Sequence, residues 1–293
     1  MEYNRPVEFM KKVLRVLGTI ALLLVMYYLL QVLLLSVSMA VATHVGNLPS
    51  ESLQYVNNTQ YLEENPAVAT YFVNAQAAGL FLSAFIMLLF IHFAGFYKLR
   101  LQLLRSLAPR PLLFSTLLVF SSMFALNIFV QWFPLEDNLG GVFSGLSNNV
   151  LGILSLAFLA PLLEEVLFRG AIQGMLMRLF GRPWPAIIVA ALIFGVYHMN
   201  PVQTVYATLL GIILGWIYYR TGSLLSVIVG HVLNNSLAVV TTLLYSASEE
   251  EAVADSMIGI VNFLVFAFLS IFFAMKLHRS MPPVEEAETE SCE

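Results

Sequence analysis

Two glutamates stand side by side in APLLEEVLFRG, residues 160–170, with an arginine four positions after the second. Glu164, Glu165 and Arg169 are set among Leu, Val and Phe, where ionisable groups are costly. Further along, FGVYH ends in His198, and GHVLNN carries His231 and Asn235 at i and i+4. A carboxylate and an imidazole can share the deprotonation of one water molecule. A second imidazole and an amide can donate hydrogen bonds to the oxyanion that forms when water attacks a peptide carbonyl. Such a set makes a hydrolase that needs no serine or cysteine nucleophile. The same groups offer a second chemistry, in which Glu164, His198 and His231 hold a divalent metal, zinc being the natural ion, with water in the open position. The spacing admits both, and the HExxH helix motif of many zinc proteases is absent.

Spacing separates the roles of the two glutamates. Glu165 and Arg169 share one helix face with the acid N-terminal, the favoured order for a pair. The plain reading of these two is a structural ion pair. Glu164 points about 100° away and has no partner within its own helix. It reads either as a packed, protonated carboxyl or as the group that does chemistry. His92, alone in an apolar run, reads as structural or interfacial. Asn234 lies three positions after His231 and offers an amide in a looser geometry than Asn235.

The elements that must position these residues are membrane helices. Of the 293 residues, 59% are hydrophobic and 11% charged, against about 25% charged in soluble domains. The charges are clumped, and the apolar runs between them reach the ~20 residues that a bilayer span requires. Eight spans are expected, at roughly 16–42, 75–93, 112–130, 151–177, 184–198, 202–219, 224–245 and 257–275. The fifth is short for a full crossing. The fold class is therefore all-α: a polytopic membrane protein of about eight transmembrane helices.

Charge placement orients the spans. All of the 14 Lys and Arg residues except Arg169 fall before span one, between spans two and three, or after spans four, six and eight. Lys and Arg favour the cytoplasmic side, so both termini are expected there. The single cysteine, Cys292, excludes an intramolecular disulfide and any cysteine-based metal site. The first apolar run is too long for a signal-peptide core. A loop from about 44 to 74 is expected to be external and to carry a short interfacial helix. It contains the sequon Asn57-Asn58-Thr59. The organisation read from these runs is an N-terminal set of helices and outer loop over 1–149, a catalytic core over 150–245, a last span over 246–278 and an acidic, disordered tail over 279–293.

Depth links the polar residues. At ~1.5 Å per residue, Glu164 lies ~21 Å from the cytoplasmic end of its span, His198 ~20 Å, His231 ~14 Å and Asn235 ~20 Å. Three spans thus bring polar side chains to similar levels. Polar groups converging in an apolar surround are what an intramembrane active site requires. In span six, Gly211 and Gly215 form a GxxxG that reads as close packing within the fold ahead of a dimer interface.

Taken in order, EExxxR (Glu164, Glu165, Arg169), FxxxH (Phe194, His198) and HxxxN (His231, Asn235) resemble the CAAX protease and bacteriocin-processing (Abi-type) family of intramembrane endopeptidases. The resemblance covers roughly residues 150–240. It implies an eight-helix fold with a conical or bundled intramembrane active site, a site facing the cytosol and cleavage of membrane-associated or prenylated-type peptides. Carried over, it implies that Glu164 and His198 activate water, that His231 and Asn235 stabilise the oxyanion, and that Glu165, Arg169 and Phe194 shape the site. It favours the metal-free chemistry over the metalloprotease-like one, because an amide in the fourth position suits an oxyanion hole. Membrane lipids and a peptide or lipidated protein are the expected partners, with no nucleic acid, in a bacterial inner membrane. Buried Glu, His and Asn also build ion pathways. The competing readings are accordingly a non-enzymatic transporter or immunity scaffold, and a metal-binding membrane protein.

Overall fold

The computed structural model describes residues 5–47, 61, 64–96, 108–244 and 257–281. Among them the chain is helical throughout, with no strand. The helices are α1 (Arg5–Val45), α2 (Pro66–Phe93), α3 (Pro109–Gln131), α4 (Gly140–Ser147), α5 (Val150–Phe180), α6 (Pro183–Tyr197), α7 (Pro201–Thr221), α8 (Leu224–Leu244) and α9 (Met257–Ser280). Seven are long and apolar enough to cross a membrane. These are the seven long spans read from the sequence, and the protein is an all-α polytopic membrane protein. The eighth span is α6, which has 15 residues. At ~1.5 Å per residue it covers ~22 Å, short of the ~30 Å of hydrocarbon. Helix α4 has no counterpart among the expected elements. Most of the outer loop with its sequon, the basic residues Lys98, Arg100 and Arg105, and nearly all of the acidic tail lie outside the described residues.

Local sequence explains the helix ends. Proline opens α2, α3, α6 and α7 within the first two positions, where its missing N–H costs nothing and its fixed φ suits the helix. Gly181 and Gly222 stop α5 and α7 in the left-handed region, at φ 63° and 60°. Glycine enters that region without a Cβ penalty.

The helices fall into two compact units. The first contains α1, α2, α4, the start of α5 through Leu163 and the end of α8. Here α1 lies on α2 so closely that a Cβ on Gly79 would sit 2.9 Å from the Leu35 backbone. Asn149 caps α5 by accepting from the Gly152 N–H at 2.9 Å, and donates to Asn74 of α2. The second unit contains α3, α5 from Glu164, α6, α7, α8 through Leu237, and α9. Stacked Phe124 and Phe266, with ring centroids 4.8 Å apart, and Trp132 against Phe263 join α3 to α9. Large apolar side chains such as Leu264, Phe268 and Ile271 are exposed along α9. An apolar face of this kind suits lipid rather than water.

Helix α5 is not a uniform α-helix. It widens to π-helical geometry over Ser155–Leu159 and again over Glu165–Gln173. The first widening lies just before Pro161. A proline inside a helix removes one i→i−4 bond and crowds the carbonyl four residues back. Widening accommodates this, and the Ala160 N–H bonds to the Ser155 carbonyl five residues back. The second widening carries the Glu-Glu-Arg motif. Single π turns inside α-helices recur at functional sites.

Candidate active site

The site is built from α5, α6, α7 and α8, all within the second unit. Glu165 and Arg169 make the expected pair, with Oε1 and Nη1 3.1 Å apart, and both are buried. The pair is more than a structural brace. Glu165 Oε1 also accepts from His231 Nδ1 at 2.6 Å. Across the same imidazole, Nε2 lies 3.6 Å from Glu164 Oε2. The two adjacent glutamates thus hold opposite edges of one ring. Their environments differ: the Glu165 side chain is 0% exposed and that of Glu164 17%. The inner carboxylate is sealed, and the outer one is partly exposed.

Phe194 joins the two histidines. Its ring meets the His198 ring edge-on at 4.9 Å and the His231 ring at 5.9 Å. The Arg169 guanidinium lies 4.5 Å from its centroid. A cation over an aromatic face is attracted by the ring quadrupole, more strongly when desolvated. Phe194 is thus the wall shared by Arg169, His198 and His231.

His198 is the C-terminal cap of α6. Its Nδ1 lies 2.9 Å from the Phe194 carbonyl oxygen. A carbonyl only accepts, so Nδ1–H is the donor, and a neutral His198 carries its lone pair on Nε2. That tautomer leaves a base on the outer edge of the ring. Among the described residues His198 and Glu164 make no direct hydrogen bond or ion pair.

The turn after His198 is held from two sides. Met199 adopts φ 50°. Asn200 is buried, accepts from the Gln203 N–H at 3.2 Å as the cap of α7, and donates to Asp137 Oδ1 at 2.8 Å. Gly195, inside the FGVYH motif, lets α6 and α7 touch: a Cβ there would fall on Thr208 Oγ1 and on the Thr204 carbonyl oxygen.

Two residues beside the motif extend it. Arg169 Nη2 donates to the Gly211 carbonyl at 3.5 Å, and Gln173 Nε2 to the Gly215 carbonyl at 3.0 Å. Side chains four apart on α5 thereby grip carbonyls four apart on α7. The GxxxG packs within the fold, where a Cβ on Gly211 would press Ala191 and Phe194 at 3.2 Å and one on Gly215 would press Gln173 at 2.8 Å. Gln173 continues the Glu165–Arg169 spacing by four more residues, and that periodicity was the signal available for it.

On α8, Asn234 and Asn235 are coupled, Asn234 Nδ2–H donating to Asn235 Oδ1 at 3.0 Å. Asn234 Oδ1 in turn accepts from the Tyr206 hydroxyl at 2.5 Å. Asn234 is therefore engaged with its neighbours rather than standing in for Asn235. Nothing in the sequence pattern singled out Tyr206, which sits on α7 among ordinary apolar and hydroxyl residues.

The structure thus brings Glu164, Glu165, Arg169, Phe194 and His231 into one contacting cluster, sets His198 against it through Phe194, and places Asn235 one turn beyond His231. Among the described residues no three His, Cys, Asp or Glu side chains are grouped so as to hold a metal ion. His92, read as structural or interfacial, lies on α2 with its ring edge-on to Phe93 at 5.2 Å.

Residues 146–237 match the family of type II CAAX prenyl endopeptidases described as Rce1-like. The match covers under half of the chain and supports the CAAX protease family for this segment. Comparison with curated proteins and with solved structures gave no match.

Proposed function

With that family match as premise, we propose that this chain is an intramembrane endopeptidase that hydrolyses a peptide bond of a membrane-associated or prenylated-type substrate by means of a glutamate-activated water. The observation that carries the reading is the His231 ring held between Glu165 and Glu164. Glu164 presents a partly exposed carboxylate, and His198 presents Nε2. A water between them loses a proton to this pair, and its oxygen attacks the scissile carbonyl. The resulting oxyanion takes hydrogen bonds from His231 Nε2–H and from the Asn235 amide. With Nδ1–H given to Glu165, donation from Nε2 takes the doubly protonated ring, and the flanking carboxylates compensate its charge. Collapse of the tetrahedral intermediate breaks the C–N bond, and the proton gained by Glu164 and His198 passes to the leaving amine.

The proposed setting is a bacterial inner membrane, with both termini cytoplasmic and the site open to that side. The distribution of Lys and Arg supports it. So does the meeting of α7 with α9, where Arg220 Nη2 donates to the His278 carbonyl at 3.1 Å, next to Arg279.

The test is cleavage of a quenched fluorescent, membrane-anchored peptide by purified protein, beside Glu164→Ala, with and without a strong chelator. Cleavage by the wild type alone, indifferent to chelator, is the expected result. Cleavage lost to chelator and restored by Zn²⁺ would turn Glu164, His198 and His231 into ligands and overturn the glutamate-water mechanism. A wild type that cuts no peptide in a panel of prenylated and unprenylated sequences would overturn the endopeptidase reading in favour of a transporter or scaffold.

A further inference from the structure

An oxyanion donor on Asn235 raises a question of orientation. A primary amide has two orientations related by a half-turn, and only one turns its NH2 toward a substrate. In this protein the choice is made from outside. Asn234 Nδ2–H donates to Asn235 Oδ1 at 3.0 Å, which fixes the oxygen on the Asn234 side. The NH2 of Asn235 therefore occupies the opposite branch. Asn234 has its own reason not to flip, since its Oδ1 accepts from the Tyr206 hydroxyl at 2.5 Å. A flipped Asn234 would lose that bond and set its own Oδ1 against Asn235 Oδ1, two acceptors face to face.

Two helices thus form one directional chain, from Tyr206 of α7 to Asn234 and Asn235 of α8. Asn234 is buried, so water is a poor substitute for a lost link, and chains of hydrogen bonds in a low dielectric reinforce one another.

We propose that Tyr206 is a positioning residue for the Asn235 amide, acting through Asn234. The proposal rests on the endopeptidase reading. Tyr206 touches no reacting atom, and its role is to keep one amide proton aimed at the oxyanion.

A double-mutant cycle on kcat tests it, with Tyr206→Phe, Asn235→Ala and the double variant measured in the anchored-peptide assay. Loss of one oxyanion donor costs about 10²–10³-fold in kcat, so Asn235→Ala is expected in that range. Tyr206→Phe, which misaims the donor without removing it, is expected to lower kcat by about 10-fold with KM within about 2-fold, the signature of an interaction made in the transition state. In the Asn235→Ala background, Tyr206→Phe is expected to cost nothing further, because residues acting through one group are not additive. A merely structural Tyr206 would lower kcat by the same factor in both backgrounds, and that additivity overturns the proposal. Wild-type kcat retained in Tyr206→Phe overturns it too. If Tyr206→Phe does not fold, Asn234→Ala removes the same link from its other end. Its kcat loss must likewise vanish in the Asn235→Ala background, or the chain has no role. An inactive wild type would overturn the endopeptidase reading and this inference with it, whereas an active wild type with an additive cycle overturns this inference alone.

Discussion

Glu165 Oε1 lies 2.6 Å from His231 Nδ1, across sixty-six positions of sequence, in a place sealed from solvent. The contact gives Glu165 a second partner beyond Arg169 and makes it the group that sets the orientation of the His231 ring. Glu165→Gln keeps the shape but removes one of the two carboxylates that compensate the doubly protonated His231 ring, leaving a weaker, neutral donor at Nε2. The expected result is a kcat loss on the order of 10²-fold, comparable to losing an oxyanion donor. Steady-state kinetics on the anchored peptide check it, and a kcat within a factor of two of wild type would sink the assignment.

Arg169 is expected to tolerate no other cation. Its guanidinium faces Glu165, the Phe194 ring and the Gly211 carbonyl at once. A lysine is a point charge that does not span these three partners. Removing one partner of a buried pair costs about 3–5 kcal/mol. Arg169→Leu should approach that figure, and Arg169→Lys should recover only part of it. Thermal unfolding in detergent is the measurement, and equal midpoints for Arg169→Lys and wild type would contradict the geometry.

Glu164 should behave in the opposite way. Its side chain is partly exposed, and its nearest charged contact is 3.6 Å away. Partly exposed ion pairs contribute about 0–1 kcal/mol. Glu164→Gln is therefore expected to abolish cleavage while leaving the unfolding midpoint nearly unchanged. A variant that still cleaves at more than about one hundredth of the wild-type rate would remove Glu164 from the water-activating role, since general base catalysis contributes about 10²–10⁴-fold.

Gly195 sets how closely α6 approaches α7. A Cβ there would overlap Thr208 and the Thr204 backbone. Overpacking of this kind costs about 1–3 kcal/mol, or more where backbone must move. Gly195→Ala is expected to lower the unfolding midpoint and, because His198 lies three residues on, to lower kcat as well. Thr208→Ala should relieve part of the clash, and Gly195→Ala should then regain stability in the double variant. An unchanged midpoint in Gly195→Ala would show that the helices can part without cost.

Asn200 combines a helix cap with the Asp137 contact. Loss of an Asn cap costs about 0.5–2 kcal/mol. Asn200→Ala should lose at least that, whereas Asp137→Ala should lose less stability and leave the cap intact. Unfolding midpoints of the two variants measured side by side give the comparison. A larger loss in Asp137→Ala than in Asn200→Ala would reverse it.

The long helices were legible because ~20 apolar residues between charge clumps have few alternatives to a membrane span. The Glu165–Arg169 pair was legible because i,i+4 spacing is a local property of one helix. The choice of His231 as partner of Glu165 was not, since it depends on which faces of α5 and α8 meet. The widening of α5 over Glu165–Gln173 was hidden for a different reason. An i→i+5 turn and an i→i+4 turn carry the same apolar pattern over so short a stretch. Tyr206 was hidden because a tyrosine among apolar residues is compatible with plain packing, and only the placement of Asn234 against its hydroxyl distinguishes it.

The shortness of α6 has a consequence for the surrounding lipid. The turn that carries His198, Met199 and Asn200 ends a helix ~8 Å shorter than the hydrocarbon is thick. A short hydrophobic segment is met by local thinning of the bilayer, at a cost of fractions of a kcal/mol per Å. Bilayers of short acyl chains need little deformation there, and bilayers of long chains need more. Acyl-chain length is therefore expected to change how far the bilayer deforms around α6.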